Sequence, residues 1–145
     1  MEHVDAQEVL EVATRGRGLT ELTGEIARIT GESGVRAGLC VVFCRHTSAS
    51  LVIQENADPS AARDLVEWFG RIAPDGDPRY SHDAEGPDDM PAHLRTAVTS
   101  TSETIPIVDG RLALGTWQGV YLFEHRTSPH RRQVVVHVQG TSAGR

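Results

Sequence analysis

The chain contains no lysine, and its positive charge rests on fourteen arginines. That absence removes Schiff-base enzymes, a pyridoxal-phosphate site and a P-loop lysine together. Any anion the protein handles must meet arginine, histidine or backbone N–H groups instead. A GC-rich genome that writes Arg for Lys explains the bias without a functional cause. Aromatics are also scarce, seven among 145 residues, and twenty acids leave a net charge of −6. A chain of this kind is a poor binder of nucleic acid. No apolar run approaches the roughly 20 residues of a membrane span. The first ten residues carry Glu2, Asp5 and Glu8 without a basic residue, unlike a signal peptide. The two cysteines, Cys40 and Cys44, lie four apart in an apolar run. On a strand they share a face but sit too far apart to bridge. They read as reduced, buried thiols of a cytoplasmic protein, with a catalytic thiol as the alternative.

What is present fits one domain over residues 1–145, long enough to bury a real core. Alternating patterns predict strands at 8–14 and 19–23 around an Arg-Gly-Arg-Gly turn, then a short helical piece over 25–30 stopped by Gly31 and Gly34. The nearly all-apolar run 38–44 reads as a central strand buried on both faces, followed by a strand at 48–54. Asp58 and Pro59 mark a helix start. Ala61, Leu65, Trp68 and Ile72 then form one apolar face of a helix ending near Gly70. Residues 73–87 are polar and rich in Pro, Gly and Asp, a length that signals function or disorder. A second helix starts at Asp88–Pro91 and runs through Val98. Strands follow at 102–108, 111–116, 119–125 and 131–139, with Asp109-Gly110 as a hairpin turn. Many strands and two main helices without βαβ alternation predict an α+β domain with a mainly antiparallel sheet.

Four of the seven histidines sit at informative places. His46 follows the apolar strand, where a rigid scaffold would fix it. His82 lies in the long loop, His93 in the first turn of the second helix and His125 at a strand end. No pair has a zinc spacing by itself, so each is a candidate ligand or an ordinary surface or capping residue. Asp58, Asp88 and Asp89 suit helix N-termini on dipole grounds, with metal binding or general-base work as the other reading. Glu124 beside His125 is the ordinary pairing for a base or an orienter, or a surface partner for Arg126. Gln118, in the stretch Thr116-Trp-Gln118 flanked by Gly115 and Gly119, suggests substrate contact near a bulge. Arg126, Arg131 and Arg132 form a solvated turn or, near a site, a phosphate clamp.

Taken in order, His46-Thr-Ser-Ala-Ser50, Glu55-Asn-Ala-Asp-Pro59, Tyr80-Ser-His-Asp-Ala-Glu-Gly86, Asp88-Asp-Met-Pro-Ala-His93, Gly110-Arg111, Gly115-Thr-Trp-Gln-Gly119, Glu124-His-Arg126 and Gln139-Gly140 resemble the YjbQ-like family, also described as the secondary thiamine-phosphate synthase family. The motifs span residues 40 to 140. The resemblance implies a small α+β domain assembled as a homotrimer. It implies a histidine-rich cleft between subunits with a divalent metal ion, zinc or magnesium, as cofactor. It also implies joining of hydroxymethylpyrimidine diphosphate to thiazole phosphate with release of pyrophosphate.

Departing pyrophosphate needs positive charge, which without lysine falls to arginines, helix N-termini or the metal. On this reading His46, His82 and His93 are the metal ligands, with His125 as alternate. Glu124, His125 and Asp89 are the catalytic set. Ser48, Gln118, Arg126 and Arg131 contact the substrate, a small phosphorylated molecule. A metal-dependent hydrolase and a non-catalytic trimeric binding protein are the competing readings.

Overall fold

A computed structural model of the chain describes residues 2–142; the ends of the expected 1–145 domain, residue 1 and residues 143–145, lie outside the described residues. The order is β1 (His3–Ala13), β2 (Gly18–Glu21), α1 (Thr23–Ser33), β3 (Val35–Cys44), β4 (Ala49–Glu55), α2 (Pro59–Ile72), α3 (Asp89–Val98), β5 (Ser102–Val108), β6 (Arg111–Leu112), β7 (Gln118–Glu124) and β8 (Arg131–Ser142). The strands form a five-stranded sheet, β1-β8-β3-β5-β6, and a three-stranded sheet, β2-β7-β4. Every strand pairing is antiparallel. The expected α+β class with antiparallel pairing therefore holds, with three helices in place of two main ones.

Local signals explain most boundaries. Asp58 caps α2, its side chain accepting from the Ser60 N–H at 2.9 Å, and Pro59 opens the helix. Gly34, at φ 78°, ends α1, which runs through Gly31 rather than stopping there. Asp109 and Gly110 both have positive φ and join β5 to β6 in a two-residue hairpin.

The core lies between the two sheets, where Cys40, Val42, Val134, Val136 and Val138 of the large sheet meet Leu51, Val120 and Leu122 of the small one. Ile26 and Ile29 of α1 complete it. Cys40 and Cys44 are free and buried, as their spacing predicts. The 38–44 run is not buried on both faces. Leu39 and Phe43 are over 40 % exposed, because the outer face of the large sheet is uncovered in a single chain. The doubly buried strand is β7, whose second face lies under α2 and α3: Phe69 meets Phe123 edge-on, with ring centroids 5.3 Å apart. The same packing corrects the helix face predicted for α2. Phe69 is buried, whereas Trp68 and Ile72 are about half exposed.

Gly38 faces Gly140 across the β3–β8 ladder. A Cβ on Gly38 would overlap the Gln139 carbonyl oxygen and lie 2.7 Å from the Gly140 Cα. Both obstacles are backbone, so neither can rotate away. Gly38→Ala is expected to cost about 3 kcal/mol or more by breaking this register, and urea unfolding would measure it. A cost below about 1 kcal/mol would show that the ladder yields at this point.

Candidate metal centre

The loop at 73–88 and the first turn of α3 bring His82, Asp89 and His93 together, with one potential ligand atom from each lying within 4.8 Å of the others. Asp89 and His93 are one helical turn apart and so share a face. His82 reaches them from the loop. His82 Nε2 is 2.8 Å and His93 Nε2 3.1 Å from Asp89 Oδ2. His93 Nδ1 donates to the Thr47 carbonyl at 3.0 Å. That bond holds Nδ1 on the backbone and turns Nε2 toward the cluster, the usual orientation of a ligating histidine. Two imidazoles and a carboxylate with solvent on one side form a donor set suited to a divalent transition metal with open positions. Asp89 is almost wholly buried while both rings are about a third to a half exposed. A hollow of about 300 Å³ adjoins them, lined by Gly76, Asp77, Tyr80, His82, Asp83 and Pro87. A further hollow, of about 350 Å³ between α2 and the end of α3, has Glu103 as its single carboxylate and holds no such donor set.

Arg126 organises the acids. Its Nη1 donates to Asp89 Oδ1 and its Nε to Asp88 Oδ2, both at 2.9 Å, while Nη2 donates to the Glu85 carbonyl. Asp88 also accepts from the Thr127 N–H at 2.8 Å, so this residue ties the loop to the turn after β7 instead of capping α3 with its side chain. Burial alone would raise both carboxyls. For Asp88 the bonds from Arg126 and Thr127 together outweigh it, and for Asp89 the bonds and charges of His82, His93 and Arg126 together do, so both are held below the usual carboxylate range.

The other expected site residues fall elsewhere. His46 Nε2 accepts from the Gln133 N–H at 2.8 Å. Its one lone pair is thereby used, its other ring nitrogen carries the proton, and it does not join the cluster. Glu124 is buried and accepts from the Thr14 hydroxyl, the Arg132 guanidinium and the Arg126 N–H. Burial pushes it up, but the bonds from Arg132, Thr14 and the Arg126 N–H together outweigh that and hold it below the usual carboxylate range. Ser48 Oγ accepts from Arg132 at 3.0 Å. Gln118 uses its amide oxygen on the Gly115 N–H at 2.8 Å, closing the turn before β7. It stands at the opposite end of β7 from Glu124, roughly 20 Å away along the strand. Arg131 is exposed. Two of the three clamp arginines are thus engaged by the chain's own carboxylates.

His125 is fully buried, its Nε2 lying 2.8 Å from Ser50 Oγ. Burial, and then the charge of Arg95, push its imidazole down to about 3. In the unfolded chain a histidine titrates near pH 6.5. Between these values the unfolded state binds the additional proton, so stability falls as pH drops from about 6.5 toward 3. The slope approaches about 1.4 kcal/mol per pH unit. His46, lowered by burial and by Arg132, adds to the upper part of the window. Urea unfolding at pH 7, 6 and 5 should show the loss, and His125→Gln should flatten it. An equally steep profile in the variant would remove His125 as the cause.

Sequence reasoning missed Arg95, which is fully buried beside His125, and the service of Thr14, Ser50 and Arg132 to buried polar groups. A charged residue on the inward face of an amphipathic helix was the available signal for Arg95.

The family profile described as "UPF0047 protein YjbQ-like" matches residues 8–141. A UPF0047 protein of Synechocystis is 58% identical over 92% of this chain and 91% of its own. The UPF0047 protein YjbQ of Escherichia coli O157:H7 is 38% identical over 92% and 97%. A solved structure of an uncharacterised family member from Clostridium acetobutylicum superimposes with a TM-score of 0.81 at 34% identity, covering 92% of this chain and 98% of that one. A YjbQ-like protein of unknown function from Sulfolobus solfataricus gives 0.88 over 97% and 100%; at 22% identity it bears on the fold alone. The chain belongs to the YjbQ-like UPF0047 family.

Proposed function

We propose that the chain is a divalent-metal-assisted enzyme acting on a small phosphorylated substrate, with formation of thiamine phosphate from hydroxymethylpyrimidine diphosphate and thiazole phosphate as its reaction. The observation that carries the metal is the convergence of His82, Asp89 and His93, with the His93 ring already oriented by the Thr47 carbonyl. A cation held there supplies positive charge to the oxygens of a departing diphosphate. The chain's own residues point the same way: Arg126 spends its donors on Asp88, Asp89 and Glu85, so the cluster offers no free guanidinium for that task. Asp89 and the two histidines bind, Arg126 fixes the Asp89 rotamer, and the adjoining loop hollow receives the substrate.

Two further features belong to this reading. Leu39, Phe43 and Val9 give the large sheet an exposed apolar outer face, which supports burial against other copies in a homotrimer. Two free, buried thiols fit a reducing, cytoplasmic setting. No helix among the described residues is long and apolar enough to cross a membrane.

The test is synthesis of thiamine phosphate by the purified chain from the two precursors, with and without Mg²⁺, Mn²⁺ or Zn²⁺, alongside sedimentation for the trimer. Product only with metal supports the reading. Phosphate or pyrophosphate released from one precursor alone, without coupling, identifies a hydrolase instead. Absence of both reactions with every metal overturns the enzymatic reading.

A further inference from the structure

An acid stands on β5 where the strand pattern calls for an apolar residue. Alternate residues of a strand share a face, and Ile105 and Ile107 are buried against the core. Glu103 belongs to that same face, opposite the fully buried Val42 of β3. It lines the hollow of about 350 Å³ between α2, the end of α3 and the edge strand β4. Leu65, Trp68 and Phe69 of α2, Ile53 of β4 and Val98 of α3 form the apolar walls. No charged side chain among the described residues acts on the Glu103 carboxyl: burial raises it, and only the Ser100 hydroxyl opposes that. An acid so placed costs stability unless a cation meets it.

Two further features give the hollow the same sign. Val98, Thr99 and Ser100, at the C-terminal end of the ten-residue α3, lie along it. That end is the negative pole of the helix. The one basic residue of its last turn, Arg95, is buried and takes no part in the lining. Trp68 borders the hollow with about half of its surface open. The face of an indole attracts a cation.

We infer that this hollow binds a small organic monocation, an amine or amidine carried on one apolar ring, with its N–H groups on the Glu103 carboxylate and its ring against Trp68 and Leu65. The class follows by elimination. A metal ion finds a single carboxylate among mostly apolar walls, too few ligands to hold it. An anion meets the carboxylate and the helix end with the wrong sign. A neutral apolar molecule covers the carboxylate and leaves it unpaired. A monocation with an apolar body gains charge-assisted hydrogen bonds and buries its ring at once. Size follows from the volume, which is at the small end of the roughly 300–1,000 Å³ that ligand pockets span. The histidine–aspartate cluster lies at the other end of α3, and the site does not depend on a metal being held there.

The experiment uses the whole chain with benzamidinium as the probe, benzamide as its neutral isostere and benzoate as its anionic one. The chain has two tryptophans, so Trp117→Phe leaves Trp68 as the only indole reporter. Its fluorescence should change saturably with benzamidinium, with a dissociation constant on the order of 1 mM or tighter. Benzamide should bind at least about tenfold more weakly, and benzoate should not bind. Glu103→Gln should remove the preference for the cation, while the melting temperature stays level or rises because an unpaired carboxylate is gone. If that variant does not fold, saturation-transfer NMR of the three probes with the unmodified chain still decides. Crystals grown with benzamidinium should show the amidine on Glu103. Equal affinity for benzamidinium and benzamide, or an undiminished preference in Glu103→Gln, overturns the site. So does the absence of any saturable response, the result expected if another copy of the chain covers the hollow.

Discussion

Asp89→Asn is expected to lower divalent-metal affinity by on the order of a hundredfold or more, and metal-dependent activity by at least as much. The argument starts from charge. Asp89 Oδ2 is the atom on which both His82 and His93 converge, at 2.8 and 3.1 Å. An amide retains the shape but withdraws the negative charge, and places an N–H donor or a weak carbonyl acceptor where a hard anionic ligand stood. Loss of several kcal/mol of charge stabilisation in the transition state corresponds to a factor of at least about 10² in rate. Fold should survive, because Arg126 keeps its bonds to Asp88 and to the Glu85 carbonyl. His93→Ala should behave alike. Arg126→Met should act more weakly, by about 10–100-fold, since it orients a ligand rather than being one. Calorimetric titration with Zn²⁺ and Mg²⁺, together with melting curves, separates these outcomes. Stoichiometric, undiminished metal binding by Asp89→Asn would remove the cluster from consideration.

That cluster was half legible in the sequence. His82, Asp89 and His93 could each be singled out from position: one in a loop too long to be idle, two at a helix start with helical spacing. The third expected histidine, His46, was chosen because strand ends are rigid. His46 does follow the end of β3, but what its lone pair meets is a long-range matter. The Gln133 N–H that takes it belongs to β8, 87 residues away. Arg126 shows the same limit. An arginine beside a turn reads as free, and only the return of the 73–88 loop shows that Asp88 and Asp89 occupy it. In the fold, capping and turn chemistry were readable because they are local: Asp58-Pro59 and Asp109-Gly110 act over three or four residues. Which strand is doubly buried was not, because hydrophobicity alone cannot tell a face covered by α2 and α3 from one left open. The apolar 38–44 run has an open face, whereas β7 encloses Glu124 and is covered on both sides.

Glu124→Gln is expected to destabilise the protein by about 3–5 kcal/mol. Glu124 stands beside His125 in sequence, which suggests a base, but its surroundings specify a different task. Thr14, Arg132 and the Arg126 N–H all donate to it, and together they hold its carboxyl down against the effect of burial. An acid so held is a poor proton acceptor near neutral pH. What it does is neutralise Arg132, only 5 % exposed, whose Nη2 also donates to Ser48 Oγ at 3.0 Å. The amide leaves that guanidinium buried without a counter-charge. It also loosens the Arg126 backbone, and through it the guanidinium that positions Asp89. The two roles make opposite forecasts. A base predicts a collapse of kcat with an unchanged melting temperature. The ion-pair role predicts a drop of about 6–15 °C, with activity persisting in whatever fraction remains folded at low temperature. Arg132→Met should be similarly destabilising alone, because it strands the carboxylate. The pair Glu124→Leu with Arg132→Met should recover most of the loss, since removing both charges leaves neither unpaired. A double variant no more stable than either single one would show that the bonds to Thr14, Ser48 and the Arg126 N–H, rather than the charge pair, hold this end of β7.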